Sequence, residues 1–191
     1  MRVDIMNSQD FLLKKYLPRI EFASYEDFKA NYSVIVPEDF NFGYDVVDAW
    51  AEAFPEKKAL YYLNDHGVKK EFTFTDLKNL SDRAANVLSS FGVKKGDRVM
   101  MMLRQRPEVW ISMVALHKMG AIVIPATFQL TPKDIVYRCQ VARVKYIIAA
   151  DEEQILEHIG LARPGCPTLQ GVFKVGDNPV CDGFYHDYRK L

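Results

Sequence analysis

Residues 106–125 read RPEVWISMVALHKMGAIVIP, and this stretch predicts a helix followed directly by a strand. Pro107 fits the first helical position, where the N–H that proline lacks would have no partner, and Gly120 fits a left-handed helix end. The helix between them is apolar on almost every side, which is typical of a helix covered by a sheet and by other helices. The stretch therefore predicts an α/β fold class.

The alternation of strand and helix continues on both sides of this stretch. We predict strands at 98–103, 121–125, 145–150 and 172–175, and helices at 107–119, 132–142 and 152–160. The strands consist mainly of continuous apolar runs, which are typical of parallel strands covered on both faces. The alternation favours right-handed crossovers and a mostly parallel, doubly wound sheet flanked by helices.

A β-hairpin and an irregular arm are predicted before the sheet. Residues 1–40 alternate aromatic and charged positions without the period of a core helix. This pattern favours an N-terminal arm of short helices and turns, and it places the domain itself at 41–191. Strands at 59–63 and 68–74 flank turn residues at 64–67, as in a hairpin.

Polar side chains mark the expected starts of the helices. The expected caps are Asp45 for a helix that ends at Pro55, Thr75 for a helix that ends at Gly92, and Asp151 for the helix at 152–160. Thr131 and Asp134 match a capping box. We interpret the acidic residues among them as helix caps rather than as catalytic residues. Residues 182–191 are predicted to begin a further helix.

Composition excludes several classes of function. Lysine plus arginine and aspartate plus glutamate both number 25, so no net charge attracts nucleic acid or an anionic membrane. The three cysteines are unclustered, which favours a reducing compartment, and we expect the protein to be cytoplasmic. No apolar segment reaches the length of a signal peptide core or the ~18 residues of a membrane span.

The sequence shows no motif that would carry catalysis. It lacks the glycine spacings of phosphate-binding loops and the Gly-x-Ser-x-Gly turn that presents a nucleophile. The nearest approach to a phosphate loop is 171–177, which we interpret as a strand and a turn. Cys181 and His186 are the nearest approach to a zinc pair, and two residues do not make a site. We interpret His117 as a core or helix-end histidine bonded to a backbone carbonyl.

Gln129 is the one polar residue placed where this fold binds ligands. It follows the predicted strand at 121–125 and precedes a capped helix. Loops at the carboxyl ends of parallel strands are the usual ligand sites of open α/β sheets, and an amide both donates and accepts. By position alone, however, a glutamine that only orders its own loop is the more ordinary interpretation.

Seven segments in this order resemble the amino-terminal part of the adenylate-forming acyl-CoA synthetases, most closely the medium-chain acyl-CoA synthetases. They are VPEDFNFGYDVVD at 36–48, FTFTDL at 72–77, GDRV at 96–99, PEVW at 107–110, PATFQL at 125–130, DIVYRCQ at 134–140 and DGF at 182–184. The resemblance implies an enzyme that uses ATP and Mg²⁺ to activate a carboxylic acid as an acyl-adenylate. Pyrophosphate leaves, and the acyl group then passes to the thiol of coenzyme A.

The resemblance also implies that residues 41–191 are a partial, AMP-binding N-terminal domain. The family's Ser/Thr/Gly-rich phosphate loop, its later adenine and ribose motifs and its carboxyl-terminal lysine do not occur in residues 1–191. We therefore expect a chain truncated before the phosphate loop, with no catalytic residue and no metal ligand of its own. By itself it is expected to bind no cofactor and form no adenylate, and the remainder of its own chain is expected to complete the fold.

One site residue follows from the resemblance. Gln129 matches a loop glutamine that contacts coenzyme A in the medium-chain enzymes, which implies the same contact in the complete enzyme. Phe128 departs from the small residues usual at this position, so the resemblance implies no particular acyl chain.

Two other classes of function stay open. The chain could be a free-standing α/β binding or regulatory module, such as a receiver-like domain, although the clustered acids of a receiver are not evident. A self-sufficient hydrolase is disfavoured because no nucleophile is presented. A phosphate loop encoded soon after Leu191 would favour the ligase, and an immediate stop codon would favour the module.

Overall fold

The computed structural model describes residues 10–177 and 179–189, which form two compact units divided between Phe40 and Asn41. The first contains the short helices α1 (Asp10–Tyr16) and α2 (Tyr25–Asn31). Ser24 caps α2 by accepting a hydrogen bond from the Asp27 N–H at 3.2 Å. The Asp27 carboxylate in turn accepts from the Arg19 guanidinium at 2.8 Å. Short helices and turns make up this unit, as the aromatic and charged pattern predicts.

The second unit contains a hairpin, a five-stranded sheet and five α-helices within its described residues. A π-helical turn, Gly43–Asp48, leads into α3 (Ala49–Ala53), and the hairpin pairs β1 (Lys58–Leu63) with β2 (Lys69–Thr73). There follow α4 (Phe74–Ser90), β3 (Arg98–Met102), α5 (Pro107–Lys118), β4 (Ile122–Pro125), α6 (Pro132–Ala142), β5 (Tyr146–Ala150), α7 (Glu153–Ala162), β6 (Gly171–Val175) and β7 (Tyr185–Asp187). Among these helices, none combines the length and the apolar character that a bilayer crossing requires.

The sheet has the strand order β4-β3-β5-β6-β7, and every pair is parallel. Side chains of successive residues point to opposite faces of a strand, and β3 shows the consequence. Val99 and Met101 belong to one core with α4 and α5, whereas Met100 and Met102 belong to another with α6 and α7. The doubly wound, mostly parallel sheet flanked by helices is therefore confirmed.

Three predicted helix caps are wrong: a neighbouring side chain caps two of the helical segments instead, and the third helix has no side-chain cap. Thr73, not Thr75, caps α4 in a capping box with Asp76. Asn41, not Asp45, accepts from the N–H of Gly43 at 2.9 Å. The Asp151 carboxylate pairs with Lys174 at 2.8 Å, and α7 begins after Glu152 without a side-chain cap.

The predicted helix in the tail is also wrong within the described residues. Residues 185–187 form β7, which adds to β6 in parallel register. The carboxylate of Asp182 accepts hydrogen bonds from the N–H groups of Phe184 and Tyr185, which turns the chain into this strand. Residues 190 and 191 of the predicted helix lie outside the described part of the chain.

A buried ion cluster joins the π-helical turn to α4 and α5. The Lys118 side chain is 1% exposed, and its Nζ lies 2.7 Å from Asp48 Oδ1 and 2.6 Å from Asp82 Oδ1. Lys78 Nζ lies 3.0 Å from the other oxygen of Asp82. Gly43 leaves room for the Lys118 stem, because a Cβ there would collide with Lys118 Cγ. The cluster pairs two cations with two carboxylates at the end of an otherwise apolar helix.

The first prediction concerns Lys118. Lys118→Met is expected to lower the free energy of unfolding by about 3 kcal/mol, because it leaves two carboxylates without their buried cation. Lys133→Met, at an exposed position of α6, is the control and should change the free energy of unfolding by less than about 0.5 kcal/mol. Urea denaturation of both variants measures the difference. Equal stabilities would contradict the structural role of the cluster.

The second prediction concerns pH. Burial alone would raise the pKa of Asp82, but hydrogen bonds from Lys118 and Lys78 outweigh burial and lower this pKa below its usual 3.8. A carboxyl whose pKa is lowered by folding stabilises the fold above the unfolded pKa and loses that contribution as the pH falls through the folded pKa. The destabilisation by Asp82→Asn should therefore be constant from pH 8 to about pH 5 and shrink below about pH 4.

Urea denaturation at several pH values tests this, with Asp65→Asn in the exposed hairpin turn as a matched change of charge. An Asp82→Asn effect that stayed constant down to pH 2 would show that the carboxylate charge is not what stabilises the cluster.

Candidate functional site at the carboxyl edge of the sheet

The topology of the sheet creates a cleft at one edge. Because all five strands are parallel, their carboxyl ends meet at the same edge. The chain runs from β3 outward to β4 through α5, and then crosses back to β5 through α6 on the opposite face. Loops that leave in opposite directions at such a switch point open the crevice in which α/β sheets hold ligands.

Arg104 ties together the loops that follow β3, β4 and β5. Its Nε donates to both carboxylate oxygens of Glu152, at 3.1 and 2.9 Å. The centre of its guanidinium lies 3.9 Å from the ring centroid of Phe128, which follows β4. A guanidinium over an aromatic face is attracted by the ring quadrupole. Three separate loops are therefore held by one side chain at the mouth of the cleft.

Gln129 lies next to this contact, beyond the end of β4. Its side chain is exposed, and its backbone N–H donates to Thr127 Oγ1 at 3.2 Å. Within the described residues, no group forms a hydrogen bond with the Gln129 side-chain amide. Both its donors and its acceptor are therefore available to a ligand. The structure places Gln129 at the predicted edge, and its contact with coenzyme A stays a prediction.

The chain after Gln129 is fixed on both sides. Thr131 and Asp134 form the predicted capping box of α6, in which the Asp134 N–H donates to Thr131 Oγ1 at 3.3 Å. The hydrogen bonds from Thr131 lower the pKa of the Asp134 carboxyl. His158 of α7 places Nδ1 2.8 Å from the carbonyl oxygen of Leu130. Gln129 thus projects from a loop anchored to two helices.

Two further groups of charged residues near this edge form ion pairs with one another. Arg189 joins Glu108 and Asp177, each at 2.6 Å, and the hydrogen bond from Arg189 to Glu108 is the main cause that raises the arginine pKa. Lys174 pairs with Asp151 at 2.8 Å. No group of histidine, cysteine, aspartate and glutamate in the described part of the chain could hold a metal ion.

The sequence segments considered and rejected as a phosphate loop, a zinc pair or a catalytic histidine lie apart from this edge or contribute to packing. Residues 171–175 are a strand, as predicted. The His186 ring packs on Phe91, with centroids 4.2 Å apart, and burial lowers its pKa, while Cys181 is exposed. His117 is a helix-end residue as expected, but its buried Nδ1 has no partner among the described residues, so the expected bond to a carbonyl is absent.

Sequence reasoning missed three residues of the edge: Arg104, Glu152 and His158. Each contacts a residue at least 20 positions away in sequence, so no local spacing links it to its partner. One signal was available for Arg104, since it is the first charged residue after a buried strand. A cation at the carboxyl end of a parallel strand lies in the ligand crevice of this fold.

Comparison with known sequences identifies a family and its relatives. The family model described as AMP-binding enzyme matches residues 47–180. Acyl-coenzyme A synthetase ACSM5, mitochondrial, of Rattus norvegicus is 40% identical over 148 residues, which are 74% of this chain and 25% of the relative. Acyl-coenzyme A synthetase ACSM3, mitochondrial, of Homo sapiens is 38% identical over 163 residues, 82% of this chain and 28% of the relative. The chain thus spans about a quarter of the length of these curated relatives.

Solved structures share the fold. An anthranilate CoA ligase, AuaEII, solved in complex with anthranoyl-AMP, superposes with a TM-score of 0.69 at 24% identity. The match covers 80% of this chain and 28% of that protein. Acetoacetyl-CoA synthetase from Streptomyces lividans superposes with a TM-score of 0.73 at 20% identity over 84% of this chain and 26% of that protein. The sheet and its helices therefore have the architecture seen in these ligases.

The third prediction tests whether Arg104 orders the loop that carries Gln129. Arg104→Ala removes both the pair with Glu152 and the contact with Phe128, so ¹⁵N relaxation should show lower backbone order parameters at residues 127–130. The free energy of unfolding should change by less than about 1 kcal/mol, because the pair is partly exposed. Arg143→Ala, outside these three loops, should leave the order parameters unchanged. Equal order in wild type and Arg104→Ala would contradict the role given to Arg104.

Proposed function

This chain belongs to the family of AMP-binding enzymes, and we propose that it forms the amino-terminal part of an ATP-dependent acyl-CoA ligase. The observation that carries the proposal is the match over residues 47–180, together with 40% identity to a relative named as an acyl-coenzyme A synthetase. In the proposed reaction, the acid's carboxylate attacks the α-phosphorus of ATP and pyrophosphate leaves. The thiol of coenzyme A then displaces AMP from the acyl-adenylate to give acyl-CoA.

The residues of this chain fit a role in holding coenzyme A better than a role in holding ATP or Mg²⁺. The exposed Gln129 amide has no partner among the described residues and belongs to the loop after β4, which suits the amide groups in the pantetheine arm of coenzyme A. In contrast, the described residues contain no metal-binding cluster. We therefore assign residues 41–191 to the scaffold and to one wall of the coenzyme A path, and no adenylation step to any of their side chains.

Phe128 supports this wall. Its ring is half-buried, packs against the core beneath α6 and α7, and is covered by the Arg104 guanidinium. A ring held on both sides in this way orients the neighbouring Gln129 rather than lining an acyl pocket. The proposal accordingly leaves the choice of carboxylic acid to residues outside this chain.

Cytoplasmic residence is a further part of the proposal. It is supported by three free cysteines, two of them buried. The relatives in the comparison are named as mitochondrial proteins. Imaging of the complete, tagged gene product against a mitochondrial dye decides between the two compartments. Co-localisation with the dye would contradict the proposal.

The fourth prediction is an exchange experiment. The complete gene product, supplied with ATP, Mg²⁺ and a panel of short- to medium-chain carboxylic acids, is expected to exchange labelled pyrophosphate into ATP. The polypeptide of residues 1–191 is expected to give none. Acid-dependent exchange by residues 1–191 would contradict the proposal that none of their side chains carries the adenylation step. If the complete gene product gave no exchange with any of the acids, the proposed ligase function would be wrong, and a binding or regulatory module would be favoured.

The same assay separates the role of Gln129. Pyrophosphate exchange needs no coenzyme A, so Gln129→Ala in the complete gene product should leave exchange unchanged. The KM for coenzyme A in acyl-CoA formation should rise severalfold, as expected for the loss of one or two hydrogen bonds of about 1 kcal/mol each. Gln154→Ala, an exposed glutamine on α7, is the matched control. An unchanged KM for coenzyme A would contradict the proposed contact.

A further inference from the structure

A cavity of about 440 Å³ lies at the amino edge of the parallel sheet, opposite the edge that carries Gln129. Arg98 opens β3, Lys145 directly precedes β5, and Gln170 directly precedes β6. The Lys145 N–H donates to the Arg98 carbonyl at 2.9 Å, and the Gln170 N–H donates to the Lys145 carbonyl at 2.8 Å. These hydrogen bonds place the three residues side by side, and all three line the cavity.

Hydrogen bonds between separate elements hold the wall of the cavity in place. The Thr168 hydroxyl donates to the Val144 carbonyl at 2.8 Å. The Tyr146 hydroxyl donates to the Phe91 carbonyl at 2.8 Å, and its oxygen lies 2.9 Å from Gln170 Oε1. The starts of three strands and the end of α6 therefore form a wall that is fixed before any ligand arrives.

The cavity carries an excess of positive charge. Its charged lining residues are Asp97, Arg98, Arg143 and Lys145. Lys145 Nζ lies 2.9 Å from Asp97 Oδ2, so these two charges compensate each other. Arg98 and Arg143 are exposed, and neither guanidinium has a hydrogen-bond or ion-pair partner within residues 10–177 and 179–189. Two uncompensated positive charges therefore line the cavity.

The backbone of Arg143 is a second, independent feature of this site. Arg143 ends α6 with a φ of 52°, and it is the one residue other than glycine in the described ranges that has a positive φ. Glycine fits this left-handed position without strain, whereas an arginine adopts it at a cost. A glycine would end α6 more cheaply, but it would bring no guanidinium to the cavity.

We propose that this cavity binds a phosphate group, either as inorganic phosphate or as part of a small phosphate ester. A guanidinium presents paired N–H donors that match the oxygens of phosphate, and Arg98 and Arg143 supply two of them. Their charges balance the roughly two negative charges of a phosphate group near neutral pH. The volume lies within the range of about 300 to 1,000 Å³ that is usual for small-molecule sites, so an ester also fits. The site does not depend on the proposed coenzyme A contact of Gln129.

The fifth prediction is a titration of the 191-residue chain with inorganic phosphate, followed by ¹H–¹⁵N NMR. Sodium chloride keeps the ionic strength constant. Amide signals of residues 97–98, 143–145 and 168–170 should shift saturably. Acetate, which carries one negative charge, should bind about tenfold more weakly, because it leaves one guanidinium without a charged partner.

A second titration, with glycerol 3-phosphate, distinguishes the two sources of the phosphate group. Binding at least as tight as that of inorganic phosphate would support a phosphate ester as the ligand, because the organic part then fits the cavity. Weaker binding would support inorganic phosphate.

Four variants test the charges. Arg98→Gln and Arg143→Gly should each weaken phosphate binding about tenfold, since each removes charge-assisted hydrogen bonds. Arg143→Gly should also unfold at no lower urea concentration than the wild type, because glycine adopts the left-handed backbone without strain. Asp97→Asn removes the one carboxylate that lines the cavity and should tighten binding severalfold. Arg83→Gln, at an exposed position of α4 outside the cavity, is the control and should bind phosphate as the wild type does.

Two results would overturn the proposal. The first is a shift of the cavity signals that does not saturate and is equal for phosphate and acetate, which would show only a charged surface. The second is unchanged phosphate affinity in both Arg98→Gln and Arg143→Gly. Neither result depends on pyrophosphate exchange, so the proposal and the ligase assignment fail independently.

Discussion

Burial of both faces of β3 and β5 is the constraint on which the rest of the structure depends. Alternate side chains of these strands enter two different cores, and nearly all of them are fully buried. A shift of one residue along β3 would exchange Val99 and Met101 with Met100 and Met102, and would place every side chain against the wrong helices. This requirement fixes the parallel register, and the register places the loops after β3, β4 and β5 at one edge, where Arg104 joins them.

The charged side chains at the two ends of α5 differ in their burial and in their partners. At its carboxyl end, Lys118 is buried with two carboxylates and ties the helix to the π-helical turn and α4. At its amino end, Arg104 and Arg106 border an open recess instead. Buried ion pairs add structural order at a cost in desolvation, whereas partly exposed guanidinium groups keep donors for a ligand. The first end therefore stabilises the domain, and the second keeps guanidinium groups that are only partly covered.

The sequence predicts those features that arise from local periodicity, and it misses those that arise from contacts across the chain. The strands and the helices of the sheet follow from apolar runs, and the position of Gln129 follows from the end of a strand. The contact of Arg104 with Glu152 joins residues 48 positions apart, and no spacing reveals it. The tail was predicted as a helix, yet residues 185–187 obtain their backbone hydrogen bonds from β6. Short elements take the structure that a neighbour stabilises, because their own propensity is weak.

Native-state hydrogen exchange of the 191-residue polypeptide tests the central claim most directly. If two-sided burial of β3 and β5 holds the fold together, amides of these strands should exchange only through global unfolding, with the full denaturant dependence. Amides of the edge strands β4 and β7 and of the hairpin should exchange earlier, through local opening. Slow exchange at the edges combined with fast exchange in β3 and β5 would contradict the account.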